Sequence, residues 1–168
     1  MPTPPNPAGR SSLLRQGRVS QPWDCYVITK VVQHRRPLLA DAGNATVIID
    51  SLQHLRISDQ AKLFAFCVMP DHFHAAVCLM PGAVLSAMIG ALSKFSARRV
   101  NKTTGQSGAF WQEGFHDRHC RNRDELGELC EYIEHNPVRA GLVEVAAEWR
   151  FSSASPLRQD MLDREWWP

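Results

Sequence analysis

The stretch AKLFAFCVMPDHFHAAVCLM, Ala61 to Met80, decides the fold. Ala61 to Met69 is apolar at odd and even positions alike, which suits a central strand covered on both faces. Pro70-Asp71 interrupts it as a turn, and His72 to Met80 resumes as a second strand, so the two make a hairpin. Side chains two apart on a strand point the same way, so His72 and His74 share a face while Phe73 takes the other. Their Cα atoms lie roughly 6.5 Å apart, a separation from which two imidazoles converge on one ion. Cys78 shares that face but lies roughly 13 Å from His74 along the strand, too far for the same coordination sphere. Cys67 stays open as a neighbour, because the length of the turn sets its parity. A four-ligand structural zinc site therefore lacks an obvious set of ligands. Two imidazoles completed by oxygen donors suit an open Mg²⁺ or Mn²⁺ site, with water and a phosphate in the remaining positions. On this stretch alone, a hydrogen-bonded or solvated histidine pair on a sheet surface is the commoner reading of so short a pattern.

Working outward, Trp23 to Val32 is aromatic and β-branched and reads as a strand. Val47, Ile48, Ile49, Leu52 and Leu55 give a helix-like stripe over about Asn44 to Leu55. Beyond the hairpin, Leu85, Met88, Ile89, Leu92 and Phe95 recur at helical spacing from Val84 to about Asn101. A polar loop, Thr103 to Gly108, leads to a strand expected somewhere within Ala109 to Cys120. Asp124 is expected to cap a helix running to about His135, where Asn136-Pro137 ends it. The order strand, helix, strand, strand, helix, strand, helix contains a split βαβ, ferredoxin-like arrangement, an α+β fold with a central antiparallel sheet. On the late helix Leu126, Leu129, Cys130 and Ile133 form the apolar stripe, and Tyr132 lies about 110° from its centre. Its hydroxyl can thus reach a cleft from the flank. Asn136, four residues on, shares nearly the same face. Its amide oxygen is a candidate third metal ligand, or the residue caps the helix end.

The 168 residues, 44% of them hydrophobic and 21% charged, suffice for one globular domain with a real core. Met1 to about Gly17 carries four prolines within its first seven residues, together with Arg10 and Arg15, and reads as a disordered basic arm and not a signal peptide. Residues 18–155 are assigned to the domain and 156–168 to a C-terminal tail. No run approaches the ~18 apolar residues of a membrane span. Five cysteines, an odd number with no CxxC pair, read as reduced thiols in a cytosol. A net charge of only +2 does not announce a nucleic-acid partner. Arginines nevertheless cluster along Arg10 to Arg36, at Arg98 and Arg99, and from Arg118 to Arg123, which makes a basic groove one reading and a solvated surface another.

Taken together, these blocks resemble the HUH tyrosine transposases, in particular the REP-associated tyrosine transposase group. Phe66 to His74 (FCVMPDHFH) is similar to that family's strand followed by MP[ND]H-hydrophobe-H. Leu85, Met88, Lys94 and Asn101 sit where its next helix carries comparable residues. Gly108-Ala109-Phe110-Trp111-Gln112 resembles its G-x-hydrophobe-W-Q block. Tyr132 to Val143 (YIEHNPVRAGLV) matches its YI-x-x-NPVRAGLV stretch almost letter for letter, and Trp149 to Ser153 resembles its closing [YW]-x-[WF]-S-S. The blocks run in order from about residue 23 to 153. One departure stands out: the first strand often carries aromatic-His-hydrophobe-Thr, and Tyr26-Val27-Ile28-Thr29 lacks the histidine.

The resemblance implies that Tyr132 attacks a phosphodiester of single-stranded DNA beside Mg²⁺ or Mn²⁺ held by His72, His74 and Asn136, near hairpins formed by imperfect palindromes. Lys94, Arg98, Arg99, Lys102, Arg118, Arg121 and Arg139 are then candidate phosphate partners and Trp111 a candidate stacking platform, each with an ordinary reading as solvated charge or core aromatic. His116 and His119 flanking Asp117 form a weaker metal arrangement. The expected protein is a monomer or homodimer working in the cytoplasm at the nucleoid, with no membrane. A transposase-derived regulator that grips hairpins without cutting is the alternative. A small-nucleotide phosphoesterase and a structural zinc protein rank below it.

Overall fold

Cys25–Val31 (β1) carries apolar residues to both faces of the sheet and pairs antiparallel with two neighbours. The computed structural model describes residues 20–166, so the arm expected over Met1 to Gly17 lies outside the described residues. After β1 come the helix Ala42–Ile57 (α1), the hairpin strands Ala61–Met69 (β2) and His72–Leu79 (β3), the helix Leu85–Thr104 (α2), the strand His116–Cys120 (β4), and the helix Arg123–Glu134 (α3) with a short sequel, Asn136–Arg139 (α4). The sheet order is β2-β3-β1-β4 and every pairing is antiparallel. This is the α+β, ferredoxin-like arrangement expected, and α3 lies outside the βαββαβ repeat.

The two sheet faces are covered differently. Ile28, Leu63, Phe66, Phe73 and Val77 pack with Ile48, Leu52 of α1 and Met88, Ile89, Leu92 of α2. On the other face, Cys25, Phe64, Ala65, Cys67, Ala76, Cys78 and Cys120 meet Leu126, Cys130 and Ile133 of α3. The result is three layers, α1/α2, sheet, α3, with α3 above the face that carries both histidines. All five cysteines are buried and free.

Several local expectations need correction. β2 is an edge strand, not a central one: its outer side is closed by the chain at 151–153, through Val68 N–H to Phe151 O and Ser153 N–H to Phe66 O, both 2.9 Å. That cover, with helices above and below, explains its apolar character on both faces. A register shift between Leu63 and Ala65 puts Phe64 and Ala65 on the same side and turns Phe66 to the other. The cap of α3 is Asn122, whose side chain accepts the Glu125 amide at 2.9 Å; Asp124 lies in the first turn. Pro137 does not end helical structure but sits in the first turn of α4, where its missing N–H costs nothing. Residues 156–166, expected as a tail, pack on the body: Met161 and Leu162 join the core, and Trp166 packs against Phe64 and Trp23. Among the described residues no helix is long and apolar enough to cross a membrane.

Candidate active site

One row of side chains crosses all four strands on the α3 face. Cys67 of β2 pairs with His74 of β3, His74 with Thr29 of β1, and Thr29 with His116 of β4. Above this row lies a cleft of about 450 Å³ lined by Val27, Thr29, His74, His116, Arg118, Leu129 and Tyr132, among others. Tyr132 is 46% exposed, on the flank of α3, while Ile133 and Cys130 beside it are buried against the sheet. The tyrosine of the late helix and the second histidine of the hairpin therefore share one cleft.

The two imidazoles are held from behind. Thr29 Oγ1 lies 2.7 Å from His74 Nδ1, and Asp71 Oδ1 lies 2.6 Å from His72 Nδ1. Asp71 also accepts from Arg35 at 3.0 Å, and those hydrogen bonds keep its carboxyl below its ordinary range although burial opposes them. An ionised Asp71 only accepts, so His72 Nδ1 carries the proton and, in the neutral ring, Nε2 bears the lone pair. Both Nε2 atoms then face each other across 3.1 Å. Burial first, and positive charge on His72 second, push His74 down to about 4, with Asp71 opposing in part. His74 is thus a neutral donor at working pH. Two imidazoles bonded to one ion at about 2.1 Å each need their nitrogens about 3.0–3.4 Å apart, so the pair fits a divalent cation. Fixing each ring by its rear nitrogen is also how metal-ligating histidines are oriented.

Among the described residues no cluster of three His, Cys, Asp or Glu side chains is placed to hold a metal, so His116, Asp117 and His119 do not form one. His119 Nε2 instead faces Asp24 at 3.2 Å. Cys67 does sit on the histidine face, and burial drives its thiol up to about 12. Asn136 donates its side-chain amide to Tyr132 O at 3.0 Å and Ile133 O at 3.3 Å, capping the end of α3. Its amide oxygen accepts no hydrogen bond from the described residues, so capping does not use up the atom a cation would need.

The cations divide into two groups. Arg139 stacks its guanidinium 4.3 Å from the centre of the Tyr132 ring. Arg118 lines the cleft and is bound to Glu125 at 2.6 Å, and Arg121 binds the same carboxylate at 3.0 Å from outside the cleft. Lys94, Arg98, Arg99 and Lys102 are exposed on α2, in the layer on the far side of the sheet from Tyr132. Trp111 is corrected: it is 8% exposed, packed edge-on to Phe73 and Phe110, with Nε1–H donated to Ser96 Oγ at 3.0 Å. Its ring has no face to offer a base. Sequence reading missed Asp71 and Thr29 as ring holders. Asp71 was read only as a turn residue, and the role of Thr29 depends on the β1–β3 register.

Comparison with known proteins places the chain in a family and supports the fold. The model of the family described as "Transposase IS200 like" matches residues 23–136. A Haemophilus influenzae protein assigned as a REP-associated tyrosine transposase is 29% identical over 99 residues, covering 53% of this chain and 56% of the relative. The chain thus spans little more than half the length of that curated relative. The solved structure of a REP-associated tyrosine transposase bound to a REP hairpin superposes with a TM-score of 0.67 at 19% identity, covering 89% of this chain and 88% of the other. A transposase-like protein from Deinococcus radiodurans gives a TM-score of 0.51 at 23% identity, over 71% and 95% of the two chains. Both structures share the fold.

Proposed function

Since the chain belongs to the IS200-like transposase family, we propose that it cuts and rejoins single-stranded DNA beside hairpins of REP-like palindromes, with Tyr132 as nucleophile. The observation that carries this reading is the shared cleft of Tyr132 and His74. A phenol suits strand transfer, because an aryl phosphate ester keeps the energy of the broken bond for resealing. The phenolic oxygen attacks phosphorus, the 3′-oxygen departs, and the 5′-phosphate stays on Tyr132. A free phenol titrates near about 10 and is a weak nucleophile at neutral pH, so its surroundings must help. Arg139 places a cation against the Tyr132 ring, where an anionic phosphate would be held. His72 and His74, with the amide oxygen of Asn136, are the residues that would hold Mg²⁺ or Mn²⁺. Such an ion orients the phosphate and offsets charge growing on its oxygens.

Of the relatives, one structure contains a REP hairpin, and a hairpin is accordingly the substrate to try. An activity of this kind belongs with the chromosome, in the cytoplasm at the nucleoid. The test is incubation with labelled hairpin DNA carrying flanking single strands, with Mn²⁺. A covalent protein–DNA adduct is expected for the natural chain and none for Tyr132→Phe. Hairpin binding without any adduct would make the protein a binding-only regulator. Turnover of small nucleotide esters surviving Tyr132→Phe would make Tyr132 structural.

A further inference from the structure

Tyr132 has no hydrogen-bonding partner for its hydroxyl among the described residues, yet a nucleophilic phenol must lose a proton as it attacks. The cleft offers few groups that can take it. His74 is committed at both nitrogens, Nδ1 to Thr29 and Nε2 toward His72. Arg118 stays a cation and is paired with Glu125. Asp117 borders the cleft too, but it pairs with Ile28, whose side chain lies in the α1/α2 core, so its carboxylate belongs to the opposite face of the sheet, where Asp117 also lines a second cavity with Ser20 and Tyr26. That leaves His116. It opens β4, is exposed, projects from the α3 face in the same row as Thr29 and His74, and lines the cleft beside Tyr132. It joins no group able to hold a metal.

We infer that His116 is the general base for Tyr132, an assignment that rests on the proposed strand-cutting reaction. In cleavage the Tyr132 oxygen–phosphorus bond forms as the bond from phosphorus to the 3′-oxygen breaks. The phenol proton passes to the free imidazole nitrogen of His116, and the 3′-oxygen leaves with the electron pair and takes a proton from solvent. In resealing the 3′-hydroxyl attacks phosphorus and loses its proton to solvent, while His116 returns its own to the departing phenol. A single residue thus serves both directions, since an imidazole can accept a proton in one and return it in the other.

The experiment measures single-turnover adduct formation on hairpin DNA with flanking single strands, at saturating protein and Mn²⁺, for the natural chain, His116→Gln, Tyr132→Phe, and both His116 backgrounds carrying a trifluorinated tyrosine at 132. The more acidic fluorinated phenol needs no base. Expected is a slowing of about a hundredfold in His116→Gln, a general-base loss, with the fluorinated phenol restoring most of that rate while changing the natural background far less. Thermal melting of His116→Gln matching the natural chain shows that the fold is kept. An unchanged rate in His116→Gln, or equal acceleration of both backgrounds by fluorination, overturns the assignment and leaves strand cutting standing. No adduct with the natural chain, or adducts from Tyr132→Phe, sinks the strand-cutting reading and this inference with it.

Discussion

Thr29 sits on β1, yet its hydroxyl lies 2.7 Å from the rear nitrogen of a histidine on β3. If that bond aims His74 Nε2, Thr29→Val, which keeps shape and removes the hydroxyl, should weaken Mn²⁺ binding by about 10–100-fold, as loss of an outer partner does elsewhere. Isothermal calorimetry of the DNA-free protein reads this directly, and unaltered affinity would show that packing alone fixes the ring. Trp111 makes the opposite case, a residue with an attractive functional reading that is structural. Trp111→Leu leaves a void against Phe73 and Phe110 and strips Ser96 of its indole partner. It should cost about 2–4 kcal/mol of stability in urea unfolding, and hairpin affinity should fall no further than the folded fraction does. A selective loss of affinity in the folded protein would return Trp111 to the DNA-contacting set.

At the level of elements, α3 must be held firmly, because it carries Tyr132 over a face built by other strands. Glu125 fastens its first turn. Its side chain, 9% exposed, receives Arg121 N–H, Arg121 Nε and Arg118. The side-chain bond from Arg121 comes first among the causes that lower its carboxyl to about 2. A depressed folded value means that this bond network adds stability above the unfolded value of roughly 4.5 and loses it as pH falls toward about 2. The melting temperature of Glu125→Gln should therefore lie below that of the natural chain at pH 7, and the gap should close between about pH 4.5 and 2. At the other end, the Ser153 hydroxyl receives the buried Phe66 amide at 2.9 Å and contacts Glu134 at 2.7 Å. Ser153→Ala leaves that amide unsatisfied and should cost about 1–3 kcal/mol, measured by denaturant unfolding. This clasp also marks where the sequence was readable and where it was not. Apolar residues on both faces of Ala61–Met69 announced double cover, and the histidine parity announced a shared face. What closed the outer edge was a serine-containing stretch some 85 residues away, and no local pattern reports such a partner. The same holds for Thr29, whose facing residue follows from strand order, and for Asn122, since Asn122 and Asp124 are both ordinary helix starters two positions apart. Tyr132 on a flank was legible because helical geometry alone fixes it.

Across the whole molecule, the three layers separate chemistry from much of the positive charge. Tyr132, His74, Arg118 and Arg139 gather at the α3 face, while Lys94, Arg98 and Lys102 follow one another at i, i+4 along the outer side of α2. None of these three cations makes an ion pair among the described residues, so nothing inside the fold accounts for the stripe. A short single strand in the cleft does not reach across the sheet, whereas a hairpin stem is long enough to lie against a second face. If the stem is held there, replacing the three by glutamine should leave adduct formation at saturating DNA unchanged and weaken hairpin binding. The salt dependence of that binding should fall by about 0.9 in log–log slope for each duplex phosphate that the variant no longer neutralises, between about two and three in all. Binding of the flanking single strand alone should keep its slope if its phosphates meet Arg118 and Arg139 instead. An unchanged slope for the hairpin would mean that α2 faces solvent in the complex, and that the stem leaves the protein from the α3 side.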